Sequence, residues 1–290
     1  MISTVSNKFK RAFGIEEKIP SNCNKFYIEC LFAKKKSDTL FILGSGPTIN
    51  SLSDENWSNI KKHDSLAINN FGFHWFTPKY YWLEFGNNLV SLHYLLSELQ
   101  EKYYNNPPIF LSSYSNIINC QVDIESLPSV LKENLFLMNL QRPMRKHSKV
   151  IKKNCEKLFV KKIDLHKQHK ALFSLRSSLI VCLQLACWLR YKKIVLLGVD
   201  LYDGKYFFDS YTGKNVRNFN KAKATYQIYS ARNTQDGVHR TVSEKLNVNG
   251  PPVTEIIREI SHSLSAKYEI QFYSGSCQSL LANFLSVYFK

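Results

Sequence analysis

Residues 178–200, SLIVCLQLACWLRYKKIVLLGVD, place two demanding segments back to back. SLIVCLQLACWL (178–189) is apolar on nearly every side at helical spacing, so a helix there must be covered all round. KKIVLLGVD (192–200) holds an unbroken apolar run, as in a strand buried on both faces. A chain containing this pair is committed to layers with helices on both sides of a sheet. The same grammar recurs along the sequence. TLFIL (39–43) runs into Gly44-Ser45-Gly46-Pro47, the strand-to-turn entry of a βα unit. DSLAIN (64–69), YYWLE (80–84), PIFLS (108–112), NLFLMN (134–139) and EIQFYS (269–274) read as further strands. Ser53, Asp54 and Glu55 open a short helix around Trp57, and 89–103 and 253–267 have helical periodicity. The alternation predicts an α/β fold, with a mostly parallel sheet sandwiched by helices. Ligands of such sheets bind beyond the carboxyl ends of the strands.

With 290 residues, the length suits one large domain, or one domain with a small lid. The expected layout is a basic N-terminal extension (1–38) followed by a single domain (39–290). Two stretches inside that domain break the α/β pattern. Residues 142–170 carry eleven Lys or Arg against Glu156 and Asp164. Residues 203–250 are polar and contain no clear strand, the profile of a lid loop. The formal charge of +16 attracts polyanions, whether nucleic acid, an anionic membrane face or a phosphorylated substrate. Seven scattered cysteines without a CxxC pair read as reduced thiols of a cytoplasmic protein, and no zinc-ligand spacing occurs. The first 19 residues have no signal-peptide core; Phe9, Phe13 and Ile15 beside Lys8, Lys10 and Arg11 suit either a peripheral helix on anionic lipid or a solvated terminus. No segment reaches roughly 18 consecutive apolar residues, so no membrane-spanning helix is expected.

Four places can carry chemistry. Glycines 44 and 46 let a ligand approach the backbone, and the amides of a following helix favour an anion; a plain βα turn has the same composition. Asn69 and Asn70 end a strand and offer donors and acceptors to a sugar or base, or simply favour a turn. Asp200 stands at a strand end, followed by Tyr202 and Tyr206. Two phenols can donate hydrogen bonds to a departing phosphate, or pack their loop on the sheet. His239, in Asp236-Gly237-Val238-His239-Arg240, is of the type best suited to take a proton near neutral pH, and equally ordinary on a surface loop.

In order and spacing these motifs resemble the bacterial sialyltransferases of glycosyltransferase family 42, in fragments over roughly residues 39–86 and 172–285. The family's G-N-G-P-S turn is matched by Gly44-Ser45-Gly46-Pro47-Thr48, and its N-Q-F-Y-F segment by Asn69-Asn70-Phe71-Gly72-Phe73. The G-I-D-F-Y run is matched by Gly198-Val199-Asp200-Leu201-Tyr202 with Tyr206-Phe207-Phe208-Asp209 after it. S-L-L-A-N-F recurs as Ser279-Leu280-Leu281-Ala282-Asn283-Phe284.

The resemblance implies a GT-A-like domain and an inverting transfer of sialic acid or a related nonulosonate from a CMP donor to a glycan or glycolipid acceptor, such as lipooligosaccharide or capsule. It implies Gly44, Ser45, Gly46, Asn69, Ser177, Ser178 and Asp200 around the donor, and Arg176 near the acceptor and donor sugar. Tyr202 and Tyr206 would hold the leaving phosphate, and His239 would be the general base, with His262 as the alternative. No metal or other cofactor is implied, the CMP-sugar being a co-substrate. The enzyme would be cytoplasmic, with peripheral inner-membrane contact and oligomerisation left open. Ser45 and Asp236 depart from the family pattern. A CMP-Kdo transferase on the same fold is an alternative, as is a basic nucleic-acid-binding protein; no RRM, KH, zinc-finger or helix-turn-helix pattern supports the latter, so nucleic acid is not an expected partner.

Overall fold

The computed structural model describes residues 19, 24, 31–85, 89–141, 159, 172–173, 177–202, 204–209, 215–225, 234–235, 238–243 and 251–289. Its centre is one sheet of eight strands. β1 (Thr39–Leu43), β2 (Asp64–Ile68), β3 (Tyr80–Trp82), β4 (Ile109–Ser113) and β5 (Leu135–Met138) are laid side by side in chain order. Two short strands, β6 (Leu140–Gln141) and β7 (Leu172–Phe173), pair apart from the sheet. The chain then returns to the other side of β1 with β8 (Lys193–Leu197). After β9 (Thr234–Gln235) and β10 (Val238–His239), which form a separate hairpin, β11 (Gln271–Ser274) and β12 (Ser286–Val287) extend the sheet beyond β8. Every pairing in the large sheet is parallel. The strand order reverses direction between β1 and β8, where Leu43 is in register with Leu197.

The period of two along β1 explains both cores. Leu40 and Ile42 face one layer with Leu66, Trp82, Ile194 and Leu196; Phe41 and Leu43 face the other with Ala67, Tyr81, Val195 and Leu197. The first layer is closed by α5 (Ser178–Trp188) and α6 (Val253–Tyr268), the second by α1 (Asp54–Lys61) and α2 (Leu89–Tyr103). Two short helices, α3 (Tyr114–Asn119) and α4 (Ser129–Asn134), flank β4 and β5. All eleven residues of α5 are buried, which is why its sequence has no polar face. α1 starts on a reciprocal capping box between Ser53 and Asn56, with bonds of 3.1 and 3.0 Å, a device that stabilises a helix start by about 1 kcal/mol.

Opposite the strands' carboxyl ends, the fully buried Asp64 ties the base of the sheet together. Its carboxylate accepts from Lys36 N–H at 2.9 Å, Ser37 N–H at 3.3 Å, the Tyr191 hydroxyl at 2.9 Å and Lys79 Nζ at 2.6 Å. The stretch before β1 thus belongs to the packed structure from Leu31, a core residue, onward.

Within 203–250, where no strand is expected from the sequence, β9 and β10 form a two-residue hairpin and residues 219–225 are helical. Strands this short leave no period to read. The segment at 215–225 is fixed to α2 by Arg217 and Lys221, at 2.9 and 3.9 Å from the buried Glu98 carboxylate. Apart from Phe159, the basic stretch 142–170 lies outside the described residues. Among the described residues no helix is long and apolar enough to cross a membrane.

Candidate active site

The strands β1 and β8 leave the sheet so close together that side chains are excluded. Gly44 N–H donates to Leu197 O at 2.8 Å and Gly46 N–H to Gly198 O at 2.7 Å. A Cβ on Gly44 would stand 2.4 Å from the Gly198 carbonyl oxygen. Gly198 also has φ +60°, a region that favours glycine. The two glycine turns are one interlocked structure, and they flank the switch point where α/β sheets bind ligands.

Asp200, buried two residues beyond Gly198, reaches across to the first turn. It accepts from Thr48 N–H at 2.9 Å and from the Thr48 hydroxyl, so it fastens the short helical turn Pro47–Ser51 to the end of β8. A Cβ on Gly46 would lie 2.4 Å from its Oδ2. Asn69 ends β2 in the left-handed region, with φ 46°, which Asn tolerates better than most residues. Its Oδ1 accepts Glu84 N–H at 2.9 Å and its Nδ2 donates to Ser178 Oγ at 3.4 Å, joining β2, β3 and α5. Ser177 caps α5 by accepting Leu179 N–H at 3.2 Å. The positive end of that helix dipole is therefore delivered to the same spot.

Tyr206 follows in a loop clipped to the first turn. Phe207 N–H donates to Ser45 O at 2.8 Å, and Phe207 O accepts from Asn50 Nδ2 at 2.7 Å. The Tyr206 ring stacks on Phe208 at 5.1 Å. His239, on β10, is tied to the exit of β8 by its N–H, 3.3 Å from Leu201 O. Its ring Nδ1 lies 2.8 Å from Thr241 Oγ1.

These groups border one open cleft of about 390 Å³, lined by Gly44, Ser45, Gly46, Asn69, Ser177, Ser178, Asp200, Tyr206 and His239 among others. Of the residues proposed from sequence, Tyr202 is half-buried and does not line the cleft. Arg176 lies outside the described residues. His262 lines a different groove, between α6 and the β11–β12 edge. The cleft also contains residues to which the sequence assigned no role: Glu84, Lys205, Arg240 and Thr241. Lys205 and Arg240 each adjoin a residue that the motifs had marked, Tyr206 and His239, and that adjacency was the only available signal. Thr48 belongs to the first turn, but nothing in the sequence pairs it with Asp200.

Such a cleft can hold an anion between backbone amides, a helix N-terminus and two cationic side chains, and presents an imidazole beside it. Among the described residues no group of three or more His, Cys, Asp or Glu is placed to hold a metal ion.

Behind the cleft, His74 is fully buried against Trp57, Phe71 and Phe207, with ring centroids at 4.8, 4.8 and 5.3 Å. Its Nδ1 accepts Phe76 N–H at 3.1 Å. Burial, and then the charge of Lys102, hold its pKa well below the ordinary value. The unfolded chain therefore binds a proton that the folded one refuses, and stability falls as pH drops below about 6.5, by up to about 1.4 kcal/mol per pH unit. Denaturant titrations at pH 7.5 and 5.5 should show a smaller loss on acidification in His74→Gln than in the parent chain; equal losses would exclude His74 as the source.

The fold and cleft define an open parallel α/β protein with an anion-suited site at its switch point. No protein-family profile matches the chain, and no curated protein does. Similar solved structures come from Campylobacter jejuni. The sialyltransferase CstII, solved with the substrate analogue CMP-3FNeuAc, has 17% identity and a TM-score of 0.45, with 86% of each chain covered. The monofunctional α-2,3-sialyltransferase Cst-I has 15% identity and a TM-score of 0.46, covering 94% of this chain and 82% of its own. CstII with a trisaccharide acceptor and CMP has 17% identity and a TM-score of 0.43, covering 86% of this chain and 85% of its own. All three structures are of sialyltransferases.

Proposed function

We propose that this protein is an inverting glycosyltransferase that moves sialic acid, or a related nonulosonate, from a CMP donor to a hydroxyl of a cell-surface glycan. The observation that carries this reading is the convergence of the Gly44–Gly46 turn, the α5 N-terminus, Tyr206 and His239 on one cleft. The acceptor oxygen attacks the anomeric carbon and gives its proton to His239. The bond from that carbon to the phosphate oxygen breaks on the opposite face, and its electron pair leaves with CMP. Amides at the start of α5, the Tyr206 hydroxyl and the Lys205 ammonium supply donors to the growing phosphate charge, the kind of fixed stabilisation that lowers a barrier most. Arg240 adds a second cation for the donor carboxylate or an acidic acceptor. CMP is a competent leaving group under these donors, so the residues named here complete the reaction without a metal.

The test is transfer from CMP-sialic acid to an oligosaccharide acceptor in EDTA-containing buffer, with CMP binding followed by calorimetry. His239→Ala should lose about 10²- to 10⁴-fold in kcat while CMP binds as before. Full activity in that variant would remove His239 from the mechanism, and failure of the parent chain to bind CMP would reject the donor class.

A further inference from the structure

We propose that the end of the molecule opposite the cleft is a docking surface for an anionic lipid bilayer. Because every pairing in the large sheet is parallel, the strands all start at this end. The segments that enter β1, β2 and β8 meet there, and each brings exposed cations. Lys34 and Lys36 precede β1, Lys62 precedes β2, and Arg190, Lys192 and Lys193 stand where β8 begins; all six are exposed. The segments are bound to one another. Lys36 N–H donates to the Asp64 carboxylate at 2.9 Å, and Lys35 Nζ to Arg190 O at 2.9 Å. The amides of Lys192 and Lys193 donate to Asp38 O at 2.8 and 3.0 Å. His63 registers the crowding. Its pKa is lowered first by burial and then, against the opposing pull of Asp64, by Lys193, Lys62 and Lys36, one cation from each segment.

Nearby acids do not balance this charge. Segments 31–38, 60–64 and 190–193 contain two, Asp38 and Asp64. Asp38 pairs with Lys35 at 2.7 Å and the buried Asp64 with Lys79 at 2.6 Å, and neither lysine is among the six. Glu269, ahead of β11, stands 3.9 Å from Lys192. Helix ends account for Lys62 and Arg190, which follow the carboxyl ends of α1 and α5, where cations are favoured. Lys36, Lys192 and Lys193 stand at strand entrances instead, and their mutual repulsion costs stability that an anionic surface offsets. Two features select a bilayer over other polyanions. The cations are spread over the ends of adjoining strands, about 4.8 Å apart, as a plane and not a channel. Within it Phe32 is 37% exposed, with the Arg190 guanidinium 5.9 Å from its ring, an apolar body beside a charge as at a headgroup layer. The sequence leading into this surface sets Phe9, Phe13 and Ile15 beside Lys8, Lys10 and Arg11, an interfacial composition. A docked molecule keeps its cleft toward the aqueous phase, about 13 Å or more from the headgroups.

Co-sedimentation tests this with vesicles of phosphatidylcholine, and of equal parts phosphatidylcholine and phosphatidylglycerol, at near-physiological salt. The parent chain should bind the second and not the first, and should be released by high salt. Lys62→Gln/Lys193→Gln should weaken binding about 25-fold, each cation near an anionic surface being worth about fivefold. Lys205→Gln/Lys223→Gln removes the same charge outside the three segments and should bind like the parent. Neither Lys62 nor Lys193 makes a side-chain hydrogen bond or ion pair among the described residues, so the melting temperature should be unchanged. Equal weakening in the two variants would overturn the proposal, because net charge alone would then be at work. So would equal binding to both vesicle types, no binding to either, or tighter binding to single-stranded RNA than to the anionic vesicles. These last three readings use the parent chain and hold whether or not a variant folds.

Discussion

Gly44→Ala is expected to abolish CMP binding and to lower the melting temperature by several degrees. The new Cβ would be placed 2.4 Å from Gly198 O and 3.0 Å from Val199 Cγ2. The first of these is backbone and cannot turn aside. Nor can the two turns slide apart, because Gly44 N–H and Gly46 N–H are bonded to Leu197 O and Gly198 O. Relief requires separating β1 from β8, the pair that spans the switch point and is in register over the whole of both strands. Overpacking in a tight interior costs about 1–3 kcal/mol. Each kcal/mol is worth about 2–4 °C in a chain somewhat smaller than this one. The same displacement moves the amides of the first turn and pulls Thr48 from Asp200, so binding should suffer more than stability. A thermal melt and a calorimetric titration with CMP check both effects; parent-like affinity in Gly44→Ala would show that this turn does not form the donor site.

Asp64→Ala should have the opposite profile: a large loss of stability with unchanged affinity in the folded molecules. The alanine would leave Lys79 Nζ, the Tyr191 hydroxyl and the amides of Lys36 and Ser37 without their shared acceptor. Removing one partner of a buried ion pair costs about 3–5 kcal/mol, because the other charge stays behind. Asp64 begins β2, whereas Asn69 follows its end, so the strand keeps the defect about 13 Å or more from the cleft. Denaturant unfolding and CMP titration below the unfolding transition measure the two quantities separately. A lost affinity in protein that remains folded would mean that the base of the sheet is coupled to the cleft.

The contrast between these two glycine and aspartate positions also marks what could be read from the chain. Seven of the eight strands of the large sheet were legible because runs such as Phe41–Leu43 and Ile194–Leu197 have no polar alternation, with most ends within two residues of those observed, whereas the two-residue β12 leaves no period to read. α5 was legible for the same reason. The cleft was legible as a set of strand ends, since Gly44, Asn69 and Asp200 all follow an apolar run. What could not be read was contact between distant residues. The carboxylate of Asp200 serves Thr48, 152 residues away. Tyr202 and Tyr206 are equivalent in spacing, yet only Tyr206 lines the cleft. Thr241 stands two residues from a histidine, a commonplace neighbour until the turn folds its hydroxyl back onto the ring.

The switch point has a consequence for how the molecule is made. β1 to β5 can zip together in the order of synthesis, each next to its predecessor. β8 is a late insertion: 54 residues separate it from Met138, the end of β5, and it must find the far edge of β1 after 149 intervening residues, counted from Leu43 to Lys193. Until then β1, apolar from Leu40 to Leu43, is an open edge, the kind of surface that recruits other chains. Closing that edge also brings together the two glycine turns of the cleft, so ligand binding reports this long-range step of folding, and a chain interrupted before residue 193 has neither a protected edge nor a site.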